Sequence, residues 1–304
     1  MTTFAFIGFG EAGGILAAGL AKAGATVRAT YDILIENPTA AARHRAKAEA
    51  LGVIAASSAA QAVAGADVVI SAVVADQTVV AAANVAPHLT VGQIYMDINS
   101  TSPKRKREAA AAIEAGGAAF VEAAVMNVVP GPGIKVPMLL AGRKATALVD
   151  LLRPYGMEVQ AIGERIGDAS AVKMVRSVFV KGFNCILLEC MVAASRYKVE
   201  DRVLDSLDGS YPEFDWRAVA DESLPRLIRH GKRQSSEMYA VAETLQDIDM
   251  DPFMALGSAK RLGWIADFGL LDKLDELPKT YRQFLDLVDR EDGWTATDTP
   301  LPTA

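Results

Sequence analysis

Scarcity is informative in this chain of 304 residues. Only two cysteines occur, Cys185 and Cys190, five positions apart in an apolar stretch. They build neither a disulfide framework nor a CxxC metal site, and two buried thiols in a reducing cytoplasm are the expectation. Histidine is limited to His44, His88 and His230. With no HxxxH and no carboxylate cluster at ligand spacing, no metal is expected. His44 lies in a charged helical segment and His88 follows Pro87, and both are expected at the surface. A basic excess is also missing. The formal charge of -6 and a pI near 5.2 argue against nucleic-acid or membrane-surface partners, which need a basic face. No uninterrupted apolar run reaches the ~18 residues of a membrane span. No export signal and no GxSxG nucleophile elbow are apparent.

What is present is an Ala-rich composition, 51% apolar and 22% charged, ample for two ordinary domains with their own cores. The one basic run, Lys104-Arg105-Lys106-Arg107, follows Ser102-Pro103. It reads as the solvated first turns of a helix with Ser102 as N-cap and Pro103 at its first position.

The chain is organised around its start. Phe4-Ala5-Phe6-Ile7 runs into Gly8-Phe9-Gly10-Glu11-Ala12-Gly13 and then into a helical stretch. This is strand, tight turn, helix. Gly8 serves the turn, Gly10 lets the backbone approach a pyrophosphate, Gly13 permits close helix-strand packing, and the helix start faces an anion. A second strand closes with Asp32, 19 residues past Gly13, where a ribose-binding carboxylate of a dinucleotide site belongs. Asp32 would accept the 2′-OH and repel a 2′-phosphate, so NAD is preferred over NADP. Arg43 and Arg45 lie too far along to clamp a phosphate.

Short strand-like runs recur at residues 52–55, 67–73, 93–97, 119–123, 138–141 and 158–162, alternating with helical segments. That pattern predicts an α/β fold, a doubly wound parallel Rossmann sheet over residues 1–163, with ligands at the carboxyl ends of the strands. Val73 and Val74 then become candidate cofactor contacts. Beyond Gly163 the character changes. Residues 169–198 contain no proline and one glycine, with Val172, Val175, Phe179, Phe183, Ile186, Leu187 and Cys190 at helical spacing. One long helix is predicted to open an all-α domain over residues 164–290. Further helices are expected at 201–207, 216–230 (interrupted near Pro225), 233–247, 252–268 and 278–289, the last with Pro278 in its first turn. The tail at 291–304 is expected to be poorly ordered. So long and apolar a helix suggests a homodimer through the helical domain.

Three further stretches carry the chemistry. Asp97-Ile98-Asn99-Ser100-Thr101-Ser102-Pro103 and Glu122-Ala123-Ala124-Val125-Met126-Asn127 each end a strand, and Gly167-Asp168-Ala169-Ser170-Ala171-Val172-Lys173 opens the long helix. In this order they resemble the β-hydroxyacid dehydrogenases, the group of the 3-hydroxyisobutyrate and 6-phosphogluconate dehydrogenases, over nearly the whole chain. The family patterns are DxSTxxP, DAPVSGG and GxGxxxKxxNN. The resemblance implies that Lys173 is the general acid/base. It places Asn99 and Ser100 at the polar positions of the first pattern, and puts Lys260 of Lys260-Arg261-Leu262 near the nicotinamide end.

Departures from these patterns mark the substrate. Met126-Asn127 replaces a Ser-Gly pair, and Arg176 and Ser177 replace two asparagines. Ser177 would orient the substrate or the lysine, and Arg176 would bind an anion or depress the lysine's pKa. The replacements resemble a sub-branch of 6-phosphogluconate-dehydrogenase-like proteins with a distinct C-terminal domain. For these, Lys181, His230 and Arg233 become candidate substrate contacts. The implied activity is hydride transfer between a nicotinamide and a small, anionic hydroxy acid or related substrate. The alternatives are imine reduction on the same architecture and a non-catalytic dinucleotide-binding module.

Overall fold

Phe4, Ala5, Phe6 and Ile7 alternate between two apolar environments, and this makes the first strand the middle of the sheet. A computed structural model describes residues 2–294; residues 295–304, most of the predicted tail, lie outside the described residues. Phe4 and Phe6 pack on one face with Leu16, Leu20 and Leu148. Ala5 and Ile7 pack on the other with Val85, Tyr95 and Ile113. Side chains that alternate along a strand reach both faces, and a largely parallel sheet must be covered on both.

The elements follow in order: β1 (Thr3–Ile7), α1 (Glu11–Lys22), β2 (Thr26–Tyr31), α2 (Pro38–Glu49), β3 (Ile54–Ala55), α3 (Ala59–Val63), β4 (Val68–Ser71) and α4 (Thr78–Val85). Then come β5 (Ile94–Asp97), α5 (Pro103–Ala115), β6 (Ala119–Val125), β7 (Met138–Ala141), α6 (Ala145–Leu152) and β8 (Val159–Gly163). The eight strands form one sheet in the order β3-β2-β1-β4-β5-β6-β7-β8. From β1 the chain moves outward to β2 and β3, then returns to lay β4 against the other side of β1. That reversal opens the crevice in which such sheets bind ligands. One pairing departs from the predicted parallel sheet, because β6 and β7 are antiparallel. The segment between them holds only a short 3-10 turn at Gly133–Lys135. Without a crossover helix the chain can only double back.

The helical region comprises α7 (Asp168–Tyr197), α8 (Glu200–Ser210), α9 (Trp216–Gln246), α10 (Phe253–Asp267), α11 (Leu270–Lys273) and α12 (Tyr281–Glu291). The chain divides into compact units at Met174/Val175, inside α7 and eleven residues past the predicted boundary at Gly163. The reason is that the first turns of α7 are bonded to the sheet, as described below. The two helices predicted over 216–247 are one. Pro225 lies inside α9 without ending it, and Gly231 lets α10 approach so closely that a Cβ there would lie 3.1 Å from the Leu262 carbonyl oxygen. Ser235 donates to the Ala259 carbonyl at 2.8 Å across the same contact. The last helix starts later than predicted, because Thr280 rather than Pro278 sets its start by accepting from the Gln283 amide.

The start of the predicted tail is tied down. Arg196 pairs with Asp289 and Asp292 and lies over the Trp294 ring. The long helix is only partly covered within the chain. Leu188 and Met191 are buried, but Val172, Val175, Phe179 and Ile186 are exposed, Phe179 by 76%. Among the described residues α7 is the one helix long and apolar enough to cross a membrane by composition, with a mean hydropathy of 1.6 over its best window, 39% of which is buried within the chain.

Candidate cofactor and active site

The glycine turn joins the carboxyl end of β1 to α1. Gly8 has φ +86°, and a Cβ there would meet the Ala72 carbonyl oxygen at 2.4 Å. A side chain is therefore excluded by conformation and by space. At Gly13 a Cβ would lie 2.5 Å from the Gly8 carbonyl oxygen, whereas at Gly10 it would meet nothing within 4 Å. Gly10 is the N-cap of α1 and provides no side-chain cap. The first amides of α1, those of Glu11, Ala12 and Gly13, have no acceptor within the helix, and the space beside them at Gly10 is open. A pyrophosphate fits that space, and the positive end of the helix dipole favours it.

Asp32 follows β2 and reaches back to the turn. Its Oδ2 accepts from the Phe9 amide at 2.8 Å and its Oδ1 from Leu34 at 3.0 Å. It is both a cap for the following 3-10 turn and a brace for the glycine loop. Each oxygen keeps a lone pair for a ribose hydroxyl. His44, predicted to be a surface residue, is instead buried to 7% exposure with its ring edge-on to Phe9 at 5.4 Å. Burial pulls its pKa below the ordinary histidine value, and the nearby Asp32 carboxylate pulls it partly back. The helical face of α2 explains the error, since Ala41, His44 and Ala48 form its buried stripe. His88 is exposed, as predicted.

At the next strands, Asn99 knits two loops together. Its Oδ1 accepts from the Val73 amide at 2.7 Å, its Nδ2 donates to Ser71 Oγ at 3.0 Å, and its own amide donates to Asp97 Oδ1 at 2.8 Å. Val74 beyond it is 67% exposed. Lys106, predicted to be solvated with the rest of its basic run, is buried. Its Nζ donates to the carbonyl and Oδ1 of Asp97, both at 2.9 Å, with side-chain exposures of 1% and 0%. Ser102 does cap α5, accepting from Arg105, so one turn later Lys106 faces the sheet and meets the Asp97 carboxylate. Ser100 is half-buried at the same edge, Met126 is half-buried and Asn127 is exposed. The Asn127 Oδ1 accepts from the adjacent Val128 amide at 2.8 Å.

The feature that sequence reasoning missed is the role of Glu122. It is fully buried on β6, and its Oε1 accepts from the amides of Gly167 at 2.6 Å and Ala169 at 3.0 Å. Its Oε2 accepts from Ser170 Oγ at 2.7 Å. One carboxylate thus satisfies the open amides at the start of α7. An acid inside an otherwise apolar strand, Ala119-Phe120-Val121-Glu122-Ala123, was the available signal. Lys173 is six residues beyond Gly167 on the helix so anchored. Arg176 is exposed and Ser177 half-buried.

In the helical unit, Lys181 pairs with Glu237 at 2.7 Å, and Arg233 pairs with the same carboxylate at 2.5 Å. Burial pushes the Glu237 carboxyl up, but Lys181 and Arg233 outweigh it and hold it below the usual range. Burial, then Arg233, Arg229 and Arg226, pull the neighbouring His230 below the ordinary histidine value. Lys260 is exposed on α10. Among the described residues no cluster of three or more His, Cys, Asp or Glu side chains is placed to hold a metal.

Residues 3–131 match the NAD binding domain of 6-phosphogluconate dehydrogenase, and residues 194–265 match a domain of unknown function, DUF1932. A conserved hypothetical protein from Sinorhizobium meliloti 1021 is 40% identical, with 96% of this chain and 97% of that one covered and a TM-score of 0.83. A conserved protein of unknown function, described as structurally similar to 3-hydroxyacid dehydrogenases, is 32% identical, with 88% and 98% covered and a TM-score of 0.72. An uncharacterized 28.5 kDa protein of Methanothermus fervidus is 27% identical over 53% of this chain, which spans 61% of that protein's length. Two more distant structures share the fold: 3-hydroxyisobutyrate dehydrogenase of Mycobacterium tuberculosis, 21% identical with 95% and 99% covered and a TM-score of 0.69, and an imine reductase from Pseudomonas sp., 16% identical with 96% and 99% covered and a TM-score of 0.55. The class defined by this fold and turn is the NAD(P)-dependent oxidoreductases. Within it, the chain belongs to the β-hydroxyacid dehydrogenase-like family.

Proposed function

We propose that the chain transfers a hydride between a nicotinamide, NAD in preference to NADP, and a small anionic hydroxy acid or a related hydroxyl or carbonyl compound. Lys173 takes or gives the hydroxyl proton. When bound, the nicotinamide supplies the hydride acceptor or donor. The observation that carries the reading is the anchoring of α7 by Glu122, which supports Lys173 as a group fixed at the ligand edge of the sheet. A lysine there offers three donors and, in its neutral form, one acceptor for a proton.

Ser177, one turn further along α7, orients the lysine or the substrate. Ser100, Met126 and Asn127 line the pocket from the ends of β5 and β6. Arg176 is the favoured cation for a carboxylate, because it is exposed and its guanidinium binds bidentately. Lys181 and Arg233 are weaker candidates, since both already pair with Glu237; His230 beside them is the third candidate contact. Lys260 is assigned to the nicotinamide end. Lys173→Met is expected to bind NADH as the wild type does while turnover falls ~10²-fold or more. The assay follows NADH absorbance over a panel of 3-hydroxy acids and, because imine reductases share the fold, ketimines. Full turnover by this variant on any substrate overturns the role of Lys173.

The same reading includes a cytoplasmic homodimer. Two unpaired thiols, Cys185 and Cys190, suit a reducing compartment. A second copy covering Val175, Phe179 and Ile186 accounts for an apolar face on a helix that also carries Lys181 and Glu189. Light scattering should give twice the 32.2 kDa chain mass, and a 32.2 kDa species would refute the dimer.

A further inference from the structure

The glycine turn has a fourth glycine whose purpose lies on another helix. At Gly14 an added Cβ would fall 2.1 Å from both Cε and Nζ of Lys47. The side chain of Lys47 leaves α2, passes over the bare backbone of α1 at Gly14, and ends at the turn. There its Nζ donates to the Phe9 carbonyl at 3.0 Å and to the Gly10 carbonyl. The ammonium also lies 4.8 Å from the centre of the Phe9 ring, which is itself 4% exposed. This is a built seat: a ring on one side, two carbonyl oxygens, and a gap that only glycine leaves open.

The two carbonyls matter because of what is attached to them. In a trans peptide the C=O and the following N–H point in opposite directions, and the described chain has no cis peptide bonds. The Phe9 carbonyl shares its peptide with the Gly10 amide, and the Gly10 carbonyl with the Glu11 amide. A cation bonded to both oxygens holds both amides turned the other way. At Gly10 it acts together with the Gly14 amide, which donates to the same carbonyl at 3.1 Å, whereas the Phe9 carbonyl has Lys47 as its partner. Gly10 borders open space, so the Gly10 and Glu11 amides join those of Ala12 and Gly13 as donors for an anion there. We infer that Lys47 is a positioning residue for the cofactor's pyrophosphate. It clamps the Phe9 and Gly10 carbonyls so that the Gly10 and Glu11 amides face the phosphates, and Gly14 is the residue that admits it. The inference rests on the dinucleotide-binding reading of the turn.

The test is fluorescence titration of the full-length protein with NADH, with competition by ADP-ribose and by adenosine. Wild type, Lys47→Met, Gly14→Ala and the double variant are compared. Lys47→Met removes the ammonium. Gly14→Ala keeps the charge but pushes it out of its seat, and it can do so because the obstructed atoms are the free end of a flexible side chain. Loss of two charge-assisted hydrogen bonds predicts about tenfold weaker NADH and ADP-ribose binding for either single variant. The double variant should be no weaker than the singles, since both remove one interaction. Adenosine, which has no phosphate, should bind all four proteins equally.

Unchanged NADH binding in Gly14→Ala overturns the inference even if Lys47→Met is impaired or fails to fold, for the position of the ammonium would then be immaterial. Equal losses for adenosine and ADP-ribose also overturn it, because general loosening of the fold explains that result. Wild type that bound no NADH would instead refute the dinucleotide reading itself.

Discussion

Two carboxylates of this sheet, Asp32 just past β2 and Glu122 within β6, each hold backbone amides, yet they differ in what they leave open. Asp32 is half-buried and holds two amides, those of Phe9 and Leu34, which belong to loops. Glu122 is fully buried and is used up by the Gly167 and Ala169 amides and the Ser170 hydroxyl, which begin a helix. A carboxylate with lone pairs to spare at a solvent-facing turn can serve a ligand. One that is saturated and sealed can only serve the fold. The difference is consistent with the role proposed for Asp32 at the cofactor, whereas Glu122 places the start of α7.

The largest effect expected from this contrast is on stability. Glu122→Ala would leave the buried amides of Gly167 and Ala169 without acceptors. Each unsatisfied buried donor costs ~1–3 kcal/mol, so urea unfolding should show a loss of about 3 kcal/mol or more. Glu122→Gln, which keeps one acceptor oxygen, should lose less. At the glycine turn the same kind of change should be mild, because Asp32→Ser exposes its amides to water rather than to a dry core. If Glu122→Ala unfolded at the same urea concentration as wild type, the carboxylate would not be anchoring the helix.

The second effect reverses the ranking. Asp32→Ser should barely move the unfolding midpoint but should weaken NADH binding about tenfold, the worth of a charged hydrogen bond to a ribose hydroxyl. Removing the negative charge should leave NADPH binding unchanged or improved. Titration of both dinucleotides measures this directly. A tenfold preference of the wild-type protein for NADPH would overturn the proposed choice of NAD.

The same contrast explains what could be read from the sequence. The geometry of the glycine turn and the place of Asp32 were legible because both are set by backbone conformation and spacing along one βαβ unit, so local order in the chain is enough. All eight strands were legible for a similar reason: β-branched and apolar runs bounded by turn residues mark them. What the sequence hid depends on which distant groups meet. Lys106 reads as one more cation in a basic run until the register of α5 brings it to Asp97. His44 reads as a surface histidine until α2 presents it to Phe9, and nothing local marks Lys47 on the same helix as a partner of the turn. The antiparallel β7 turned on the absence of a crossover helix. In α9, packing against α10 at Gly231 overrode the local signal of Pro225. The exposed residues of α7 show a further limit, since helical spacing says which residues share a face but not what covers it.

The smallest predicted effect tests the surroundings of Asp32 through His44. Burial, Lys47 and Arg45 lower the pKa of His44, while Asp32 and the Thr30 backbone raise it, with burial the largest contribution and the net shift downward from 6.5. Between the folded value and 6.5 the unfolded chain binds more protons than the folded one, so stability must rise with pH across that interval. The contribution is therefore present in full above 6.5 and is lost as the pH falls through the folded value. Unfolding midpoints in urea at about pH 7.5 and about pH 5.5 should differ more for the wild type than for His44→Gln, which cannot take up the proton. An equal difference in the two proteins would mean that His44 is hydrated and titrates normally. In the Asp32→Ser background the wild-type histidine should show a steeper dependence, because the carboxylate that partly supports its protonated form has been removed.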